Sequence, residues 1–113
     1  MNIQSHILQT AQTFGITCQD LTGPSKEQKH VMPRHRLWLT LLCEPIDHKP
    51  DGSPVYRSLP AVARFFDDRD HTTVLYGARR AASEIYGTPP KATLAEIRGA
   101  VQAARSGQME IAA

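Results

Sequence analysis

Four polar residues in a row, Asp70-His71-Thr72-Thr73, stand just before the apolar positions Val74 and Leu75. An aspartate carboxylate accepts a hydrogen bond from cytosine N4. A histidine donates to a base or a phosphate, or packs on a thymine methyl. Threonines offer hydroxyl and methyl contacts to both. At the start of a helix, this set has the chemistry to read base edges in duplex DNA. Each residue also has a plainer role: Asp70 as a helix N-cap, Thr72 and Thr73 as first-turn capping residues, His71 as a solvated side chain. Arg79 and Arg80 follow on the same segment and are candidate phosphate contacts. Such contacts supply salt-dependent affinity without sequence information. The plain alternative for them is a solvated helix face.

Base reading requires a rigidly held helix. Val74, Leu75, Ala78, Ala82 and Ile85 form a stripe at helical spacing, which predicts a helix from near Asp70 to about Tyr86. Gly77 lies within it, at a cost of about 1 kcal/mol relative to alanine, and points to close helix packing. Upstream, Ser58 is an N-cap with Pro60 in the first turn, and Leu59, Val62, Ala63 and Phe66 give an apolar face. Asp67-Asp68 make the turn between the two helices. A short helix, a tight turn and a longer helix with a polar start have the layout of a DNA-binding helix-turn-helix.

The rest of the chain reads as further helices. Residues 2–14 are amphipathic through Ile3, Ile7, Leu8, Ala11 and Phe14, and Gly15 ends the segment. Thr17 and Asp20 open a short second helix. Pro33 is placed in the first turn of a third, which runs to about Cys43 through Leu37, Trp38, Leu39, Leu41 and Leu42 and forms the central core, with Trp38 in it. Residues 45–57 hold three prolines and a glycine and read as a loop, a tolerated surface insertion rather than a functional arm. Thr93-x-x-Glu96 is a capping box for a last helix over about 94–105. The expected class is all-α: a compact domain of five to six helices spanning 1–107, with a loose tail at 108–113.

At 113 residues, 41% apolar and 21% charged, the chain is sized for one folded domain. The net charge of +2 is too small to mark a nucleic-acid binder. Its distribution says more: Lys26, Lys29, Arg34 and Arg36 face only Glu27 within 26–36. Cys18 and Cys43 form no C-x-x-C pair and read as buried free thiols in a reducing cytoplasm. No apolar run approaches a membrane span, and no signal peptide is expected. The His and Cys residues lack metal-ligand spacing, no nucleophile and base can be assembled, and there is no phosphate-binding G-x-x-x-x-G-K-[ST] loop. No enzyme activity, cofactor, metal or small-molecule substrate is expected.

Several stretches resemble one family. Ile16-x-x-x-Asp20-Leu21, Met32-Pro33-Arg34, Ser58-Leu59-Pro60-x-Val62 and above all Arg69-Asp70-His71-Thr72-Thr73-Val74-Leu75 resemble the C-terminal DNA-binding domain of the bacterial replication initiator DnaA. The resemblance covers nearly all the ordered chain to about Tyr86. It implies a helical domain that binds a short asymmetric box as a monomer, with a helix-turn-helix in the major groove and a basic loop in the adjacent minor groove. On this resemblance, Asp70, His71 and Thr72 read bases, and Thr73 meets a base or a phosphate. Arg34 and His35 approach the backbone, Lys26 stands where the family uses a minor-groove arginine, and Lys29 and Arg69 join the backbone or minor-groove set. Three departures stand out: the basic loop is diluted, Asp67-Asp68 replaces Gly-Gly, and the 45–57 loop is longer than the family's.

The expected function is sequence-specific binding of double-stranded DNA by a cytoplasmic, nucleoid-associated transcriptional regulator. RNA polymerase or replication proteins are further expected partners. Replication control at initiator boxes is the alternative. A protein-interaction module with weak DNA binding is a second alternative, motivated by the diluted loop and the Asp67-Asp68 turn.

Overall fold

The computed structural model describes residues 2–107. It contains α1 (Ile3–Phe14), α2 (Cys18–Thr22), α3 (Gln28–Cys43), β1 (Pro45–His48), β2 (Pro54–Tyr56), α4 (Leu59–Ala63), α5 (His71–Tyr86) and α6 (Leu94–Arg105). The domain is therefore mostly helical, with six helices and one small sheet among the described residues. The expected tail at 108–113 lies outside them.

Local capping sets most of the boundaries. Asn2 caps α1 through the Ser5 amide, and Gly15 closes it in the left-handed conformation at φ 66°. Thr17 with Asp20, and Thr93 with Glu96, form reciprocal capping boxes at the starts of α2 and α6. Ser58 caps α4 through the Ala61 amide, and Gly87, at φ 71°, closes α5.

Two boundaries differ from the sequence reading. Helix α3 begins at Gln28, so Pro33 lies inside it and not in its first turn. Ties to the preceding segment favour the earlier start: the Ser25 hydroxyl lies 2.7 Å from His30 Nδ1, and Arg34 is bonded to Leu21 in α2 and to Ser25 in the loop. These offset the lost amide donor of Pro33. The 45–57 segment is also no plain loop. Strands β1 and β2 pair antiparallel, with an irregularity between Pro45 and Asp47, and the ribbon turns through Asp51-Gly52, with Gly52 at φ 88°. Its prolines are compatible with this because a two-stranded ribbon has only edge strands.

Helix α3 is the axis of the core. Trp38, Leu41 and Leu42 on it, Val62 on α4, Phe66 in the following turn, and Val74, Ala78 and Ala82 on α5 are all buried. Trp38 is at the centre, stacked on His35 at 5.5 Å between centroids and meeting Phe66 edge-on at 5.6 Å. Helix α5 lies against this aromatic group through Gly77. A Cβ there would stand 2.5 Å from Trp38 Cε3 and 2.6 Å from His35 Cδ2. The expected close packing is thus met. Replacing Gly77 by alanine is expected to destabilise the fold by about 1–3 kcal/mol, the overpacking cost exceeding the gain in helix propensity. Urea unfolding checks this; an unchanged midpoint would mean that the α3–α5 contact relaxes freely.

The far end of α3 is closed by arginines from outside the helix. Arg57 donates to the Leu41 carbonyl (3.2 Å), Arg98 to that of Leu42 (2.8 Å) and Arg105 to that of Cys43 (3.3 Å). They satisfy carbonyls that no further helical turn covers, at the negative end of the dipole. Cys43 is buried as expected, and burial raises its thiol pKa to about 11. Cys18 is exposed, contrary to expectation. Helix α2 makes little more than one turn, and its buried residue is Leu21.

Candidate nucleic-acid interface

A turn over residues 64–68 joins α4 to α5. Asp67 and Asp68 hold left-handed backbones, with φ of 62° and 47°. Aspartate tolerates this region better than most side chains, although not as well as glycine. Arg69 then leads into Asp70, which caps α5: its Oδ1 accepts from the Thr72 amide at 2.7 Å. That bond, chiefly, holds the Asp70 carboxyl below the ordinary aspartate range. A carboxylate has room for several donors, so an exposed capping Asp70 can still accept from another molecule.

Asp70, His71, Thr72 and Thr73 are all exposed, while Val74, Gly77, Ala78, Ala81 and Ala82 on the same helix are buried. The first turn of α5 thus projects polar groups from a helix fixed along its other side. Tyr76, one turn beyond Thr72, is 62% exposed. Sequence reasoning passes over it, although its i+4 and i+3 spacing from Thr72 and Thr73 places it on their face.

The basic residues separate into two groups. Lys26, Lys29 and Arg80 are exposed; Lys29 pairs with Glu27 at 3.4 Å and Arg80 with Glu84 at 3.6 Å. Exposed pairs of this kind contribute little and exchange readily for an external anion. The other group is engaged internally. Arg34, expected at the surface as a backbone contact, is only 4% exposed. Its Nε donates to the Leu21 carbonyl (2.7 Å), Nη1 to Ser25 (2.8 Å) and Nη2 to Asp20 (2.9 Å). Arg79 is half-buried: its Nε donates to the Ala92 carbonyl at 2.8 Å, which ties it to the segment between α5 and α6. Arg34 thus lacks the free, outward guanidinium that the sequence reading gave it. The carbonyls of α2, of the loop after it and of an interhelical segment are the partners it could not foresee.

His35 is half-buried on Trp38, and burial, followed by the Arg80 and Arg34 charges, lowers its pKa. Arg69 is partly buried: Nη2 donates to the Gly23 carbonyl, and the guanidinium lies 5.7 Å from the centre of the Trp38 ring. This bond ties the α2–α3 loop to the entry of α5. Lys26 on that loop and Thr73 on α5 line one cleft with Arg34 and Arg69.

The Asp67-Asp68 turn gives a direct test of local cost. Glycine at both positions should raise stability by about 1 kcal/mol by relieving the left-handed backbone. On the duplex-binding expectation of the sequence, removing two negative charges should also strengthen binding several-fold at low salt. Asparagine at both positions separates the effects, reproducing the binding gain with less gain in stability. Thermal melting and salt-dependent anisotropy read the two quantities.

The fold and this surface describe a small helical domain with a polar helix start beside a cationic cleft. Part of the sequence is similar to a known protein: 67 residues, 59% of this chain, are 34% identical to the chromosomal replication initiator protein DnaA of Ruegeria sp. (strain TM1040). The match spans only 12% of that protein's length. No protein-family model matches the chain, and no solved structure matches it. Among the described residues, no helix is long and apolar enough to cross a membrane, and no group of three or more His, Cys, Asp or Glu side chains could hold a metal ion.

Proposed function

We propose that this domain binds double-stranded DNA sequence-specifically as a transcriptional regulator, without catalytic activity. Helix α4, the turn and α5 act as a helix-turn-helix, and the first turn of α5 enters the major groove. Asp70, His71, Thr72 and Thr73 meet base edges and adjacent phosphates, while Lys26, Lys29 and Arg80 supply phosphate or minor-groove contacts. The observation that carries this reading is the exposed polar turn Asp70–Thr73 on a helix whose opposite face is buried. The similarity to DnaA supports it from a separate direction. It also favours a second reading, replication control at initiator boxes, which differs in where the site lies and not in how it is read.

The test is fluorescence anisotropy on two duplexes at physiological salt, one carrying an initiator-type box and the other its scrambled sequence. Preference for the box is the outcome expected for replication control. Selection of a different motif from a random library is that expected for a regulator with a shifted target. No binding to any duplex at low salt would overturn both and leave a protein-interaction module.

A further inference from the structure

The cleft between the α2–α3 loop and the start of α5 contains a charge imbalance that the fold does not resolve. It encloses about 340 Å³ and is lined by Ser25, Lys26, Arg34, His35, Arg69 and Thr73, among others, with no carboxylate in its wall. Its two guanidiniums are bonded only to neutral acceptors: Arg34 to three backbone carbonyls and Arg69 to that of Gly23. Arg69 Nη1 is buried without a hydrogen-bond partner among the described residues, as is Nε1 of Trp38, which also lines the cleft. Burial, then the neighbouring Arg69 charge, brings the Arg34 pKa down to about 10. Asp67 is the acid whose charge Arg69 feels; it forms no ion pair with Arg69 among those of the described residues.

Buried cations without a counter-charge are costly, and an unpaired guanidinium N–H adds to that cost. A tetrahedral oxyanion relieves both. Its oxygens can accept from the ammonium of Lys26 and the hydroxyl of Thr73, and, after a turn of the guanidinium that uncovers it, from the buried Arg69 Nη1, in charge-assisted bonds. We propose that this cleft is a seat for a single phosphate-class oxyanion and takes it even in the absence of nucleic acid. The seat stands on its own geometry. The duplex reading only supplies one source of the anion, a backbone phosphodiester, and free inorganic phosphate is the other.

Thermal unfolding of the full chain in inorganic phosphate, against chloride at equal ionic strength, tests the seat. Phosphate at about ten times its dissociation constant should raise Tm by about 5 °C. Lys26→Ala, an exposed change that leaves the fold intact, should weaken phosphate about tenfold, and Arg69→Gln should abolish the shift. Lys91→Gln, which removes an exposed charge outside the cleft, should leave it unchanged. Should Arg69→Gln fail to fold, phosphate titration of Lys26→Ala by calorimetry carries the test alone. An equal Tm rise in chloride, or undiminished phosphate binding by Lys26→Ala, would overturn the seat. Displacement of a bound duplex by phosphate at constant ionic strength supports the seat and assigns it to the DNA backbone. A phosphate shift in a protein that binds no duplex supports the seat as a free-anion site and defeats only the duplex reading.

Discussion

Arg34→Ala is expected to lower Tm by on the order of 10–20 °C, the largest effect of any single polar substitution in this domain. The side chain is 4% exposed and donates to the carbonyls of Leu21, Ser25 and Asp20. Truncation removes three bonds from a charged donor and leaves a polar cavity beside Leu21. A loss of about 3 kcal/mol or more follows. Arg34→Lys should recover little of it, because an ammonium has no planar fork to span three separate carbonyls. The same geometry predicts what Arg34→Ala does to DNA binding. A residue that only touched phosphate would leave Tm unchanged and lower the salt slope by about one. A variant with unchanged Tm and a reduced slope would show that the internal bonds contribute nothing and that Arg34 faces the duplex.

Asp70 gives the second large effect, and its two roles can be separated. Asp70→Ala removes both the cap on the Thr72 amide and the acceptor aimed outward. It should cost about 1 kcal/mol of stability and about 1–3 kcal/mol of affinity on the preferred duplex, a loss of roughly 5- to 150-fold. Asp70→Asn retains a capping oxygen, so its stability should stay near that of the unmodified chain. It exchanges a charged acceptor for an amide and should therefore change which base is preferred. Selection from a randomised duplex library, run alongside urea unfolding, reads both. Equal loss on every sequence, for both variants, would restrict Asp70 to capping α5. His71→Ala should relax preference without touching the cap, because its side chain makes no hydrogen bond within the described residues.

The helices are legible in the sequence because their boundary signals are local. Thr17 with Asp20, Ser58 with Pro60, Thr93 with Glu96, and glycines after Phe14 and Tyr86 each fix an end within a few residues. Gly77 is legible as a packing position because a glycine in mid-helix weakens the helix unless a close neighbour requires it. The ribbon at β1 and β2 escapes the sequence reading, although Asp51-Gly52 followed by Val55-Tyr56 is a hairpin signal; three prolines obscure it. The start of α3 is misplaced there because ties between Ser25, His30 and Arg34 decide it, across distances that no periodicity encodes. The candidate interface divides in the same way. Asp70 to Thr73 lie at a helix start, so their exposure follows from local pattern. The fates of Arg34, Arg69 and Arg79 depend on distant carbonyls at Leu21, Gly23 and Ala92. A basic residue in sequence carries no mark of whether it serves the solvent or the backbone.

The arginine closure at the end of α3 has a consequence for how this domain can be altered. Glu44 and Arg57, the residues flanking the ribbon, meet at 3.1 Å, and Arg98 both donates to the Arg57 carbonyl and covers the Tyr56 ring at 4.3 Å. The ribbon is thus fastened at its root, and its tip over 49–53 contributes nothing to the core. A segment held in this way is a natural port: it can be lengthened, exchanged or made to carry a fluorophore or an affinity sequence. Closure entropy grows only slowly with the added length. Because the port leaves the domain from the end of α3 that lies away from Lys26 and Arg34, cargo placed there reports on the protein without standing in the path of whatever docks at α5.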